Sequence, residues 1–85
     1  MAFAPTTLTA AEAADVVRDG LRSLASGVTE IDFGALQRFD STAVAAILEW
    51  RRAAASRGLV LRLANLPDGL ESLARLYGVA HLLRS

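Results

Sequence analysis

Eighty-five residues suit one domain with one small core, of the size that buries roughly 60–65% of its unfolded surface and leaves little room for a deep substrate cavity. Nine basic residues, all arginine, balance nine carboxylates, and no arginine cluster is interleaved with aromatics, so a nucleic-acid partner is not expected. Cysteine is absent, which excludes disulfides, thiolate nucleophiles and cysteine-based metal sites, and the high apolar content with few aromatics predicts an aliphatic core rather than disorder.

The chain opens with Met1-Ala2-Phe3-Ala4-Pro5, which lacks the basic region and apolar stretch of a signal peptide. Residues 2–4 are a weak strand candidate. Thr9-Ala10-Ala11-Glu12 reads as a capping box, in which hydroxyl and carboxylate satisfy each other's backbone donors. It opens a helix with Ala13, Val16, Val17, Leu21 and Leu24 at helical spacing, ending near Gly27. Ile31-Asp32-Phe33 follows as a strand and leads through a short loop to Phe39-Asp40-Ser41-Thr42. The second helix is predicted over 41–57, with Gly58 as its left-handed stop. A strand at 59–63 comes next, then a third helix after Pro67, opened by the capping pattern Asp68-Gly69-Leu70-Glu71 and ending at Tyr77-Gly78. The tail, 79–83, is a last short strand or a turn packed on the core. Strands alternating with helices of this length predict an α/β fold, a single domain over 1–85 in which an open, mostly parallel sheet carries helices packed against it.

The second helix carries Val44, Ile47, Leu48, Ala54 and Ala55 on an apolar face that also contains Arg51, whose stem is expected to lie over the core with its guanidinium at the edge. Trp50 lies beside that face, half-buried against a neighbouring element, the alternative being a partner contact. No catalytic constellation is visible. His81 stands alone near the C-terminus, Ser41 and Thr42 have no base close in sequence, and Asp32, Asp40 and Glu49 form no acid–base pair. The glycines are single and scattered, so no phosphate-binding loop is expected, and the reading is of a protein that is not an enzyme, with no cofactor and no metal. The longest apolar run, 43–48, is far short of the ~20 residues that cross a bilayer. A cytoplasmic protein is expected. The join at Asp40, Ser41 and Thr42 places hydroxyls at a helix start, where a phosphate or a partner's carboxylate would be received.

Phe39-Asp40-Ser41-Thr42-Ala43-Val44-Ala45 resembles the signature loop of STAS domains, the family that joins sulfate transporters with the antagonists of bacterial anti-sigma factors. In that family an apolar strand precedes an aspartate, then small or hydroxylated residues, usually a glycine, and an apolar helix. Here Asp40 is the aspartate and Ala43 takes the usual glycine position, where its methyl would weaken tight docking by a kinase. Ser72-Leu73-Ala74-Arg75-Leu76-Tyr77 resembles the S/T-L-A-K/R-L-Y run of one subgroup, the small STAS subunit (MlaB-like) of the ABC transporter that maintains outer-membrane lipid asymmetry. The resemblance covers the chain from about Leu8 onward. Family members usually begin with a further strand that pairs with the one at 2–4, and this sequence starts after it.

The resemblance implies a non-enzymatic accessory subunit that binds the ATPase of a phospholipid-transport ABC system. It would sit in the cytoplasm, peripheral at the inner membrane through that complex and without direct insertion. Its partner-binding residues would be Asp40, Ser41, Thr42, Ala45, Glu49 and Arg52. One of Asp40, Ser41 and Thr42 is also needed as the cap of the helix. The alternative is an anti-sigma factor antagonist controlled by phosphorylation at Thr42, where the added charge would eject the partner. Either the family's first strand is absent or the natural start lies upstream; if it is absent, residues 2–4 would form an open edge, and a homodimer is expected.

Overall fold

The computed structural model describes residues 1–83. Its elements are β1 (Thr7–Leu8), α1 (Ala13–Ala25), β2 (Glu30–Asp32), β3 (Arg38–Phe39), α2 (Thr42–Ser56), β4 (Arg62–Ala64) and α3 (Asp68–Leu76), closed by a 3-10 turn at Ala80–Leu83. All pairing is parallel. Strand β1 lies beside β3, with Thr7 opposite Arg38, and β2 lies beside β4, with Ile31 opposite Leu63. Phe3 adds a parallel bridge to Ile31, so residues 3–8 run alongside 31–39 and link the two ladders. A turn closed by the Leu36 N–H on the Phe33 carbonyl (3.0 Å) separates them. Helix α2 is the crossover that returns the chain from β3 to β4, as the alternating pattern predicts.

The strands alternate as a half-buried sheet should. Ile31 and Phe33 are buried, while Glu30 and Asp32 between and beside them stay half-exposed. Helix α2 occupies the centre, in contact with α1, α3 and the C-terminal turn. Trp50 fixes that position, and it is fully buried rather than half-buried. Its indole N–H donates to the Val17 carbonyl of α1 at 3.1 Å, and its ring meets Phe3 edge-on with centroids 5.6 Å apart. Gly20 of α1 makes room for it, since a Cβ there would lie 2.4 Å from Trp50 Nε1. The apolar face of α2 is therefore rotated from the sequence expectation. Ala43, Ala46 and Trp50 join Val44, Ile47 and Ala54 in the core, and Ala55 is exposed.

The element ends also refine the sequence reading. Gly58 adopts φ +70° behind α2, the left-handed stop expected of it. The capping box before α1 is half made. The Glu12 carboxylate accepts from the Thr9 N–H (3.0 Å) and from the Thr9 hydroxyl (2.8 Å), so that hydroxyl donates instead of capping, and the helix proper begins at Ala13. At α3 the residue ahead of the helix is Pro67 and no side chain caps it; Asp68 and Glu71 act in the first turn through the helix dipole. The strand expected at 59–63 forms later, at Arg62–Ala64, and the one expected at 2–4 is reduced to the single bridge of Phe3. The tail is a turn, and its Leu83 is buried in the core.

Candidate partner-docking surface

The connection from β3 to α2 is held from three sides. Asp40 continues the β1–β3 ladder by donating its N–H to the Leu8 carbonyl at 3.2 Å. One oxygen of its carboxylate accepts from the Thr42 N–H (2.9 Å) and from the Thr42 hydroxyl (2.5 Å), and the other accepts from the Ala10 N–H at 3.0 Å. Asp40 is thus the side chain that caps α2. Ala43 N–H finds the Asp40 carbonyl and Val44 N–H finds the Ser41 carbonyl. The Thr42, Ala43 and Val44 N–H groups are thus satisfied within the chain, while the Ser41 N–H and hydroxyl make no hydrogen bond among the described residues, so Ser41 supplies the donors that this helix start leaves open to a phosphate or a partner's carboxylate.

These bonds hold the Asp40 carboxyl below the usual carboxylate range, the Thr42 hydroxyl contributing most and the Ala10 and Thr42 N–H groups adding to it. Two other carboxylates are held the same way. Asp32 is lowered mainly by the Asn65 side-chain amide and then by the Gly34 N–H, and Glu12 mainly by the Thr9 N–H. Each of the three has a folded pKa below its unfolded one. Their stabilisation is therefore complete above the unfolded values near ~4 and is lost as pH falls through the folded values. Acid titration of thermal stability is expected to stay flat down to that range and then fall, with a shallower fall in Asp40→Asn and Asp32→Asn. Stability that rises on acidification below that range would contradict these bonds.

The sequence-predicted site residues separate into two groups. Ser41, Ala45, Glu49 and Arg52 are exposed along one line of α2, while Asp40 and Thr42 are half-buried and engaged with each other. The Ser41 hydroxyl makes no hydrogen bond among the described residues, and Glu49 pairs with Arg52 at 2.9 Å in solvent. Ala43, at the family's glycine position, is fully buried, so its methyl faces the core and not a partner. Trp50 is likewise withdrawn from any surface.

Two shallow apolar grooves flank the exposed line. One, of about 400 Å³, lies between α1 and α2 and is lined by Ala13, Ala14, Val17, Thr42, Ala45, Ala46 and Glu49. The other, of about 350 Å³, lies between α2 and the end of α3, lined by Ser41, Val44, Ala45, Leu48, Tyr77 and Val79. Ala45 borders both. Leu48, expected on the core face of α2, lines a groove instead, and Tyr77 and Val79 are groove residues that reading α2 alone does not find. Their signal is the end of the Ser72-Leu73-Ala74-Arg75-Leu76-Tyr77 run, where Leu76 and Tyr77 stand 78% and 58% exposed, too apolar for a solvated helix end. Among the described residues no group of three His, Cys, Asp or Glu is placed to hold a metal, and no helix is long and apolar enough to cross a membrane.

A family model described as "Mlab, STAS domain" matches the chain over residues 6–84. This chain belongs to the STAS domain family. The match agrees with the parallel α/β architecture and with both motifs, the loop at Asp40 and the run ending at Tyr77. No curated protein and no solved structure shows a significant match to the chain. Within this STAS domain the signature aspartate is bonded inside the chain, and of the small residues Ser41, Thr42 and Ala43 that follow it only Ser41 faces outward.

Proposed function

We propose that this STAS domain is a non-enzymatic accessory subunit of a bacterial phospholipid-transport ABC system, bound to the ATPase of that system and supporting its assembly or activity. The observation that carries the reading is the ridge of Ser41, Ala45, Glu49 and Arg52 between two apolar grooves, one of them closed by Tyr77 of the MlaB-like run. Shallow grooves on either side of a helix suit the side chains of a packed partner helix better than they suit a small substrate. ATP belongs to the partner in this reading, and the domain reaches the cytoplasmic side of the inner membrane only through the complex. The rival reading needs a phosphate on Thr42, but that hydroxyl is half-buried and donated to Asp40, which favours the transporter role over a kinase-controlled switch.

Ser41→Glu tests the contact surface. A carboxylate in the first turn of α2 suits the helix dipole, so melting is expected to be unchanged. Binding to the ATPase subunit is expected to weaken about tenfold through an uncompensated charge at the interface. Unaltered binding in a pull-down would remove Ser41 from the surface. Self-association is a separate part of the proposal. Phe3 turns its backbone N–H and carbonyl toward β2, leaving Ala2 and Ala4 along an open edge that a second copy would pair with. Sedimentation should then detect a dimer that is lost on Ala4→Pro, and a strictly monomeric protein at high concentration would refute it.

A further inference from the structure

We infer that Asp40 and Thr42 form a latch that positions the docking helix, their polar groups bonding to one another and to Ala10 rather than to the partner, while the Thr42 side chain only helps to line the groove. This rests on the reading of α2 as the docking surface. The latch joins three structural elements, two of them adjacent in sequence and the third thirty residues away. Asp40 stands at the end of the β1–β3 ladder, Thr42 begins α2, and Ala10 belongs to the turn that leads into α1. Both carboxylate oxygens are engaged, and the Thr42 hydroxyl is spent on one of them. Three of the roughly four acceptor sites of the Asp40 carboxylate are taken by the chain itself, so its main contribution is to geometry.

Two features of the docking surface depend on that geometry. Ser41 sits between the two latch residues, so the Asp40–Thr42 bonds hold the backbone from which its hydroxyl projects. The groove between α1 and α2 has Ala13 and Ala14 on one wall and Thr42 and Ala45 on the other. The Ala10–Asp40 bond ties the chain just ahead of the first wall to the chain just ahead of the second. The turn at 9–12 is otherwise held locally, by Glu12 folded back on Thr9. Removing the carboxylate therefore frees the leading turn of α1 from the start of α2 while leaving Trp50, Gly20 and the core between the helices in place.

A double-mutant cycle on Asp40→Ala and Thr42→Val, with Asp40→Asn as the conservative variant, separates a latch from two independent contacts. Amide exchange on the chain alone gives the first readout. Asp40→Ala should speed exchange at Ala10 and Thr42 by roughly tenfold, since charge-assisted bonds are lost, with core amides such as Ile31 and Ile47 unchanged. Asp40→Asn should keep protection at Thr42, where an amide oxygen still accepts, and lose it at Ala10, where an amide N–H replaces the acceptor. Unchanged exchange at both positions overturns the latch.

The second readout is affinity for the ATPase subunit of the phospholipid-transport system of the same cell. A latch predicts non-additivity: Asp40→Ala weakens binding, Thr42→Val weakens it less, and the double variant binds like Asp40→Ala. Additive losses would mean two direct contacts and overturn the inference. Should the natural chain fail to bind that subunit, the partner reading fails, and the exchange cycle alone then decides for or against the latch.

Discussion

Gly20→Ala is expected to destabilise this STAS domain, by about 1–3 kcal/mol, although alanine is the better helix former by about 1 kcal/mol. The reason is the indole of Trp50. A Cβ at Gly20 would stand 2.4 Å from Nε1, 2.6 Å from Cε2 and 2.9 Å from Cζ2, and all three atoms belong to a ring with no exposed surface into which it could retreat. Trp50→Phe removes those atoms, and with them the bond to the Val17 carbonyl, at a cost of about 1–3 kcal/mol from the void and the lost bond. The double variant is therefore expected to cost less than the two singles together by about 1 kcal/mol or more, because the added methyl fills part of the space the smaller ring leaves. Chemical denaturation of the four proteins measures the cycle. A stabilised Gly20→Ala protein, or strictly additive losses, would contradict the packing of α1 on α2.

Ala45→Glu is expected to weaken partner binding at least about thirtyfold while leaving the fold as it is. Ala45 is exposed, in the interior of α2, and borders both grooves, so one substitution places a longer charged side chain across the whole docking ridge. Surface changes of this kind move stability by no more than about 0.5 kcal/mol. At the centre of an interface the loss should reach about 2 kcal/mol or more, roughly thirtyfold in Kd. Titration of the ATPase subunit against the natural and substituted domains checks it. Equal affinities would move the interface away from α2.

The larger features were legible because each carries its own local signal. The helix stop at Gly58, the helix after Pro67 and the strand around Ile31 are written in glycine, proline and alternation, and the aspartate loop with the run ending at Tyr77 marks the STAS family. What stayed hidden depends on distant partners. Strands β1 and β3 are two residues long and exist only because Thr7 and Leu8 find Arg38 and Phe39. The burial of Trp50 depends on Gly20 in another helix, which no periodicity within α2 encodes. Asp40, Ser41 and Thr42 are three adjacent polar residues whose sequence gives them one joint role. Their division into latch and surface follows from the Ala10 N–H, which lies thirty residues away.

The most direct test of the central claim is a calorimetric titration of the purified domain with the ATPase subunit of the phospholipid-transport system, with the Ala45→Glu domain as the matched control. The proposed function predicts a saturable complex with the natural domain and binding at least about thirtyfold weaker by the control. No heat of binding from the natural domain at high micromolar concentrations, with both proteins folded, would contradict it.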